Sequence, residues 1–366
     1  MKVLCAMSGG VDSSVAAAML LDEGHEVTGC TMRLWGGASD TGCCSVADVD
    51  DARRVAQQLG IDHFVFNFGD DFDASVVGPY VASHAAGETP NPCIECNRSL
   101  KFDRLLQRAD ALGFDAVATG HHAVVAHEGT RWHLRRGADR AKDQSYVLYM
   151  LGQAQLARTL LPVGRLTKLE VRRRATALGL RTASKPDSQD VCFITSQGGR
   201  EQFLAERLSF TPATVVDTAG RELATVTAVE LVTVGQRKGL GLAGGGVPRY
   251  VVDVDVAAAR VVVDVAEGLL TDEVTLSTLC WVGDEHAPDP DVASPVPAEA
   301  FPVLAQCSAH GEPVAATFDP MTATVRFDKP SRRIAAGQSV VLYRNDEVIV
   351  GGVARRARSE AAQSST

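Results

Sequence analysis

The first third of the chain alternates strand-like and helix-like segments that are joined by glycine turns. The apolar run 2–7 ends at a pair of glycines, and the Ala/Leu-rich segment 11–24 that follows has helical spacing. The same alternation continues in the strand-like segments 26–32, 63–68 and 114–120 and the helix-like segment 45–60. Strands that alternate with helices form a parallel sheet that is covered on both faces. The sequence therefore predicts an α/β domain whose ligands bind beyond the carboxyl ends of the strands.

From about residue 211 the pattern changes to short Val/Thr-rich runs that Gly, Pro and Asp interrupt. Such runs are typical of all-β structure and favour a barrel. The Pro/Asp-rich segment 286–300 is predicted to be an exposed loop. A chain of 366 residues is long for one hydrophobic core, so two or three domains are expected.

Composition and charge exclude several functional classes. No apolar run reaches the roughly 18 residues that a membrane span needs, and the N-terminus has no signal-peptide pattern. We therefore expect a cytoplasmic protein without a membrane partner. The net charge of −9 argues against a nucleic-acid partner. Basic residues are nevertheless concentrated in 131–142 and 165–175, for which the alternative is a solvated helix face.

Nine cysteines in a chain of this size do not indicate a disulfide framework in a reducing compartment. Clustered cysteines indicate metal binding or catalysis instead. Cys93 and Cys96 form a C-x-x-C pair after a Pro-Asn-Pro turn, and Cys192 follows nearly a hundred residues later. A structural zinc site would need four ligands at regular spacing, so redox or persulfide chemistry is favoured. For Cys43 and Cys44 the prediction is buried packing.

The stretch SGGVDSS (8–14) has the composition of a phosphate-binding loop. Its glycines let the backbone approach an anion, and the start of the helix from Val11 favours negative charge. Asp12 would repel a bare phosphate but suits one that carries Mg²⁺. The loop lacks the lysine with which the common P-loop reaches the β- and γ-phosphates. A tight turn with a Ser or Asp helix cap is the simpler alternative, which a lone glycine pair would favour.

The segment SGGVDS directly after a first strand resembles the signature of the ATP pyrophosphatases, the PP-loop enzymes. These enzymes cleave ATP between the α- and β-phosphates, so the resemblance implies that the loop holds the departing pyrophosphate. Over nearly the whole chain, the sequence is similar to the bacterial tRNA-specific 2-thiouridylases. The segments that carry this similarity are TPNPCIECN (89–97), KF (101–102), ATGHH (118–122), KDQSYVLYML (142–151) and KPDSQDVCFI (185–194).

This resemblance implies an enzyme that adenylates the carbon-2 oxygen of the anticodon wobble uridine and replaces it by sulfur, giving 2-thiouridine, AMP and pyrophosphate. It implies ATP and Mg²⁺ as cofactors, and as partners the anticodon loop of tRNA and a sulfur donor such as a cysteine desulfurase or a sulfur-relay protein. The implied domains are a Rossmann-like PP-loop catalytic domain (1–200), a small central β-rich domain (201–270) and a C-terminal β-barrel (271–358). The remaining residues 359–366 are expected to be a disordered tail.

In the family, the cysteine before Phe-Ile carries a persulfide and the cysteine before Asn-Arg is the nucleophile. The resemblance therefore assigns these roles to Cys192 and Cys96 and predicts a disulfide between them. A second cysteine is needed because it attacks the persulfide, releases sulfide or sulfurated product and leaves a disulfide. Cys93, where some relatives have Asp, could act as an acid or base or contact the target base. An iron–sulfur cluster on these three cysteines is the less favoured alternative.

The resemblance also assigns binding residues, and it assigns no protein metal ligand. For ATP they are Ala6, Met7, Ser8, Gly9, Gly10, Val11, Asp12, Ser13, Met32 and Gly120. For tRNA they are Asn91, Pro92, Cys93, His121, Lys142, Asp143, Gln144 and Gln338, with phosphate contacts from 131–142 and 165–174. Met32 and His121 each have a simpler alternative, as a core methionine and as a satisfied core histidine.

Two positions depart from the family pattern. Relatives usually have Tyr after Thr-Gly-His, where this chain has His122, and they often carry an Arg-Tyr pair where VLAQCSAHG (303–311) has none. Two other functions remain open. One is a different ATP pyrophosphatase, which transfers ammonia or uses an iron–sulfur cluster, and the other is a non-catalytic, zinc-stabilised RNA-binding module. The sequence does not determine the substrate tRNAs or the oligomeric state.

Overall fold

The computed structural model describes residues 1–34, 45–187, 191–194, 199–282 and 299–356. Most of the loop predicted at 286–300, the tail 359–366 and the pair Cys43 and Cys44 lie outside the described residues, so these predictions stay predictions. Within the described ranges, no helix is long and apolar enough to cross a membrane.

A five-stranded parallel sheet forms the first part of the chain. The strands of this part are β1 Lys2–Ala6, β2 Glu26–Arg33, β3 His63–Asn67, β4 Ala116–Ala118, β5 Ala123–Glu128, β6 Arg131–Arg136 and β7 Thr159–Leu160. The sheet has the strand order β3-β2-β1-β4-β7, while β5 and β6 form a hairpin that belongs to a second sheet. The four strands predicted from the alternating pattern are therefore confirmed.

Helices pack on both faces of the parallel sheet. The helices up to residue 205 are α1 Val11–Asp22, α2 Val46–Leu59, α3 Gly69–Phe72, α4 Gly78–Ala85, α5 Pro92–Glu95, α6 Leu105–Ala111, α7 Gln153–Leu156, α8 Lys168–Ala177 and α9 Gly199–Ala205. The predicted helices at 11–24 and 45–60 are confirmed. The second of them begins at a capping box between Ser45 and Asp48 and ends at Gly60, which has a positive φ of 72°.

The position of β1 in the sheet determines where a ligand can bind. Val3 and Cys5 pack into the core on one face, and Leu4 and Ala6 into the core on the other face. The strand β1 pairs with β2 on one side and with β4 on the other. After β1 the chain continues to β2 and β3 on one side of the sheet, and then crosses to β4 on the other side of β1. Because the strand order reverses at β1, a crevice opens between the carboxyl ends of β1 and β4.

Two β-rich units follow. A four-stranded sheet with the order β10-β11-β8-β9 contains β8 Ala213–Asp217, β9 Glu222–Val226, β10 Tyr250–Asp255 and β11 Arg260–Asp264. A barrel contains β12 Leu270–Trp281, β13 Phe301–Gln306, β14 Val314–Asp319, β15 Thr324–Arg332, β16 Ser339–Arg344 and β17 Glu347–Ala354. This barrel is closed because β12 pairs with both β15 and β17. The predicted fold class is confirmed, whereas the residue limits of the domains stay a prediction.

The barrel packs tightly against the segment that follows the hairpin. The hydroxyl of Tyr146 donates to the carbonyl of Ser339 at 2.7 Å, and the hydroxyl of Tyr149 lies 3.2 Å from the Ser339 Oγ. The ring of Tyr149 occupies the place where a Cβ of Gly351 would be, since the two would be only 2.2 Å apart. This contact fixes the residues after position 142 beside the carboxyl edge of the parallel sheet.

Candidate active site

A cavity of about 390 Å³ lies at the carboxyl ends of β1 and β4. Its walls contain nine of the ten residues assigned to ATP, six of the eight assigned to tRNA, and both Cys96 and Cys192. The assigned residues outside its walls are Gly9, Asn91 and Gln338. Residues that are far apart in the sequence therefore meet at the crevice that the strand order creates.

The loop between β1 and α1 has the backbone geometry of an anion-binding site. Gly9 has a φ of 72°, and a Cβ at this position would lie 2.3 Å from the carbonyl oxygen of Asp48, so no other residue fits. Gly10 precedes α1, and no side chain caps the N–H groups of the first turn. The alternative of a Ser or Asp helix cap is therefore wrong. These N–H groups are left to bind an anion.

Gly120 permits the close approach of β4 to the phosphate loop. A Cβ at this position would lie 2.6 Å from the backbone nitrogen of Ser13 and 2.8 Å from the carbonyl carbon of Asp12. Both distances are shorter than real Cβ contacts, so the end of β4 and the first turn of α1 can touch only through glycine. Gly120 therefore positions the loop, besides lining the cavity.

Asp12 is the centre of an ionic network. His122 Nε2 lies 3.1 Å from its Oδ1, and Lys168 Nζ donates to its Oδ1 and Oδ2 at 2.9 and 2.7 Å. Burial raises the pKa of Asp12, but the hydrogen bonds from His122 and Lys168 outweigh this effect, and the net pKa is lowered. The carboxyl group at the loop is therefore ionised at neutral pH.

The network continues through Asp187. This carboxylate accepts from Lys142 at 2.7 Å and from Arg172 at 2.9 Å, and it lies 2.9 Å from Lys168 Nζ. Burial raises the pKa of Asp187, yet the hydrogen bonds from Lys142 and Lys168 bring it well below its ordinary value. Because Lys168 contacts both carboxylates, the network links the phosphate loop to the segment that leads to Cys192.

Sequence reasoning missed two lysines at the phosphate loop. Lys168 was included in a basic segment assigned to RNA, and Lys185, which donates to the carbonyl of Gly9 at 3.0 Å, was given no role. Lys185 also bonds the carboxylates of Asp48 and Asp51. The sequence could have predicted the position of Lys168 at the start of a helix, because Thr167 and Glu170 have the spacing of a capping box and Lys168 is the first residue of α8.

Cys93, Cys96 and Cys192 all line the cavity. Asn91 caps the short helix α5, since its Oδ1 accepts from the backbone nitrogen of Cys93 at 3.0 Å. Cys96 is buried and starts a π-helical turn, Cys96–Arg104, that continues this helix. In the part of the chain that the structure describes, no group of three His, Cys, Asp or Glu side chains could hold a metal ion.

Phe193 anchors the segment that carries Cys192. Its ring lies in an aromatic cluster, with ring centroids 5.6 Å from Phe72, 5.4 Å from Tyr80 and 5.0 Å from Phe203. Only 3% of Phe193 is exposed. Because adjacent residues move together, burying this ring holds Cys192 at the cavity wall.

Two residues assigned to tRNA, Asp143 and Gln338, have hydrogen-bond partners within the protein. Asp143 accepts from the backbone nitrogens of Gly137 and Ser145 at 2.9 and 3.0 Å, and its side chain is only 4% exposed. Gln338 donates to the carbonyl of Thr89, which places it behind the loop that leads to Asn91. These contacts show that Asp143 and Gln338 hold the polypeptide around the cavity.

The basic segment 131–142 includes arginines that are paired within the protein. Its strand β6 pairs with β17, and Arg135 binds Glu128 through two hydrogen bonds of 2.7 Å. Arg136 binds Asp143 at 3.1 Å and stacks on the ring of Tyr343 at 3.7 Å. Acidic partners therefore neutralise these arginines, which connect the hairpin to the barrel.

The basic segment 165–174 is divided between two roles. Arg172 donates to the carbonyl oxygens of Ala183 and Lys185, so it stabilises the chain after α8. Arg165, Arg173 and Arg174 are exposed to solvent. These three side chains are the part of the segment that an RNA phosphate can reach.

Three family models match the chain in succession. They are the tRNA methyl transferase HUP domain over residues 1–196, the tRNA methyl transferase PRC-barrel domain over 201–264 and the aminomethyltransferase beta-barrel domain over 271–354. Proteins named tRNA-specific 2-thiouridylase MnmA match along almost their whole length. The one from Chloroflexus aurantiacus is 45% identical over 360 residues, which cover 96% of this chain and 97% of the relative. The chain belongs to the tRNA-specific 2-thiouridylase family.

A second relative, the tRNA-specific 2-thiouridylase MnmA from Salinispora arenicola, is 44% identical over 364 residues, which cover 96% of this chain and 97% of the relative. Among solved structures, a 4-thiouridine synthetase–RNA complex with bound ATP has 21% identity and a TM-score of 0.36, covering 52% of this chain and 44% of that one. The U34-tRNA thiolase NcsA from Methanococcus maripaludis has 20% identity and a TM-score of 0.35, covering 56% and 63%. At these TM-scores neither structure supports an argument about this 2-thiouridylase.

This 2-thiouridylase departs from the family pattern at two positions that both reach the cavity. His122 is 3% exposed, contacts Asp12, and has an Nδ1 without a hydrogen-bond partner among the described residues. The segment that lacks the Arg-Tyr pair contributes Ala309 and His310 to the cavity wall. Sequence reasoning gave neither of these last two residues a role.

His121 is buried beside the cavity, with its Nδ1 at 2.7 Å from the Oγ1 of Thr119. Burial lowers the pKa of His121 well below its ordinary value, and the nearby charges of Lys101 and His122 add to this effect. The imidazole is therefore neutral at neutral pH. It is both a satisfied histidine and a part of the cavity wall.

Proposed function

We propose that the cavity is where this 2-thiouridylase adenylates the carbon-2 oxygen of a wobble uridine with ATP and replaces that oxygen by sulfur. Membership of the family makes the chain an ATP-dependent tRNA sulfurtransferase. The observation that supports the residue assignment is that the phosphate loop, Cys96 and Cys192 share one cavity. An enzyme that transfers ammonia would not need Cys96 and Cys192 in the cavity. A zinc-stabilised RNA-binding module would not need the phosphate loop.

In the first step, the carbonyl oxygen of the uracil attacks the α-phosphorus of ATP. The bond from this phosphorus to the bridging oxygen of the β-phosphate breaks, and pyrophosphate leaves. The uncapped N–H groups at the start of α1, with the hydroxyls of Ser8 and Ser13, are suited to stabilise the leaving group. The reaction turns a poor leaving group, the carbonyl oxygen, into AMP.

Asp12 fits a role in holding Mg²⁺. Its lowered pKa keeps it ionised, and carboxylate oxygens together with substrate phosphates are the ligands that Mg²⁺ prefers. When bound, the ion neutralises phosphate charge. His122 and Lys168 hold the carboxylate at the cavity wall, which fixes its orientation before the nucleotide arrives.

In the second step, the terminal sulfur of a persulfide on Cys192 attacks carbon 2, and AMP leaves. The thiolate of Cys96 then attacks the Sγ of Cys192. The bond between this Sγ and the transferred sulfur breaks, 2-thiouridine is released, and a disulfide forms between Cys96 and Cys192. A dithiol reductant restores both thiols, and a sulfur donor such as a cysteine desulfurase or a sulfur-relay protein restores the persulfide.

The tRNA contacts are proposed from the exposed and cavity-lining residues. A single-stranded wobble base leaves its stack at modest cost and can enter the cavity beside Pro92 and Cys93. The neutral imidazole of His121 can form one hydrogen bond with the uracil. The exposed side chains of Arg173 and Arg174 supply contacts to RNA phosphates. The location of the protein in the cytoplasm stays a prediction.

Mass spectrometry of tRNA nucleosides tests the proposal, after incubation of the protein with tRNA, ATP, Mg²⁺ and a labelled sulfur donor. We expect 2-thiouridine with the parent protein and none with Cys96→Ser or Cys192→Ser. The Cys96→Ser protein should keep labelled sulfane sulfur on Cys192, and the Cys192→Ser protein should hold none. The control Cys280→Ser lies in β12 outside the cavity and should thiolate like the parent.

Two results would contradict this assignment. One is thiolation by Cys192→Ser at the parent rate. The other is that Cys93 alone is essential within the C-x-x-C pair, since Cys96 would then not be the resolving thiol.

A further inference from the structure

We propose that Lys168 binds the pyrophosphate part of ATP and serves as the phosphate-binding lysine that the loop itself lacks. This inference rests on the proposed function, because it needs the loop at 8–14 to hold the departing pyrophosphate. It adds a residue that lies more than 150 positions away from the loop in the sequence.

The local structure of α8 presents Lys168 to the phosphate loop. Thr167 and Glu170 form a capping box, so Lys168 is the first residue of the helix, and its backbone nitrogen donates to Asp139 at 2.9 Å. Its side chain is 12% exposed and lines the cavity. The ammonium group therefore lies inside the cavity, although its neighbours along the helix face solvent.

The contacts of the ammonium group place it beside the loop. Lys168 Nζ lies 2.9 and 2.7 Å from the two carboxylate oxygens of Asp12, which is in the first turn of α1. It also lies 2.9 Å from Asp187. An ammonium group has three protons, and one proton is enough to keep contact with Asp12. A phosphate oxygen can therefore replace a second carboxylate contact without breaking the network.

The other lysines near the loop are less suited to this role. Lys142 binds the carboxylate of Asp187 and has a side chain that is 43% exposed. Lys185 donates to the carbonyl of Gly9 and to two carboxylates, and it is not part of the cavity wall. Lys168 therefore combines contact with the loop, burial and access to the cavity, which neither Lys142 nor Lys185 does.

A cation at this position stabilises the transition state of adenylation. Negative charge accumulates on the bridging oxygen and the β-phosphate as the bond to the α-phosphorus breaks. A partly buried ammonium interacts with this charge more strongly than an exposed one, because water screens it less. The contribution of Lys168 is therefore expected in the binding of pyrophosphate and in the rate of adenylation.

Calorimetric titration with magnesium pyrophosphate, ATP and AMP tests the inference. We expect Lys168→Met to weaken pyrophosphate and ATP binding roughly 10- to 100-fold, as for other hydrogen bonds to charged groups. AMP binding should change less than about threefold, since AMP lacks the leaving group. Lys238→Met, at an exposed lysine outside the cavity wall, is the control and should bind pyrophosphate like the parent. Lys168→Gln, which can still donate to Asp12, should behave like Lys168→Met and serves if the latter is unstable.

A double substitution separates direct binding from charge balance. This test uses pyrophosphate without Mg²⁺, so that the proposed Mg²⁺ contact of Asp12 plays no part. If Lys168 only neutralises Asp12, adding Asp12→Asn to Lys168→Met would restore the affinity for metal-free pyrophosphate to the parent value, and the inference would be wrong. Parent-like pyrophosphate binding by Lys168→Met would also overturn it. Gly9→Ala tests the proposed function separately. If Gly9→Ala binds pyrophosphate like the parent, the loop assignment fails and this inference fails with it.

Discussion

Replacement of Gly120 by alanine tests whether the phosphate loop depends on close contact with the end of β4. The added Cβ would lie 2.6 Å from the backbone nitrogen of Ser13 and 2.8 Å from the carbonyl carbon of Asp12. Backbone atoms cannot rotate away, so the first turn of α1 must retreat by several tenths of an ångström. Overpacking of this kind costs about 1–3 kcal/mol of stability.

The same displacement is expected to slow the reaction. A misplacement of about 1 Å at a reacting group lowers rates by about 100-fold, so a shift of roughly half that size should lower kcat for adenylation about tenfold. The assay is the release of pyrophosphate from ATP in the presence of substrate tRNA. Thermal unfolding of the same preparation measures the stability change, and 1 kcal/mol corresponds to about 2–4 °C in Tm.

Gly246→Ala is the matched control for Gly120→Ala. No atom lies within 4 Å of a Cβ at position 246, and its φ is not in the left-handed region. We expect parent activity and a stability that is unchanged or slightly higher. Parent-like kcat and Tm in Gly120→Ala would refute the argument from close contact, because the clash would then have been relieved without moving the loop.

Three further predictions concern the anchor of Cys192, the pH dependence of stability and the RNA surface. Phe193→Ala should cost about 3–5 kcal/mol and should reduce thiolation more than pyrophosphate binding; equal losses in the two assays would contradict its anchoring role. Burial and the charge of Arg200 lower the pKa of His84 to about 4 from 6.5, so the unfolded chain binds more protons between these values. The free energy of unfolding should therefore fall as the pH is lowered from 6.5 to 4. In His84→Gln, the free energy of unfolding measured with urea should change less with pH over this range. Combined Arg173→Glu and Arg174→Glu should make the dependence of log K for tRNA on log salt less steep by about 0.7 for each phosphate that the variant no longer neutralises; an unchanged slope would make this a solvated helix face.

Local sequence patterns predicted four strands of the parallel sheet, two of its helices and the glycine turn between the first strand and the first helix. The apolar run of β1 and the Ala/Leu-rich composition of α1 predicted these two elements, and both are mostly buried in the structure. The two glycines before Val11 were also informative. Gly9 has a positive φ, which the turn itself requires, whereas its close approach to the carbonyl of Asp48 depends on the packing of α2.

Patterns of charge were less informative. The arginines of 131–142 were assigned to RNA, and the sequence did not show that Arg135 and Arg136 bind Glu128 and Asp143. Gln338, which the family resemblance assigns to RNA, bonds the carbonyl of Thr89, a contact that the sequence did not predict. A charged or polar side chain reaches several ångströms from its backbone, so its partner depends on which segments dock nearby.

The sequence by itself determined the order of strands and helices, the phosphate loop and the two cysteines that match the family. The tertiary structure alone decided that Lys168, and not a residue of the loop, contacts Asp12, and that Phe193 holds Cys192 at the same cavity. The physical reason is range. Backbone geometry and the burial of one face are properties of neighbouring residues, whereas ion pairs and packing between distant segments exist only after the strand order has brought those segments together.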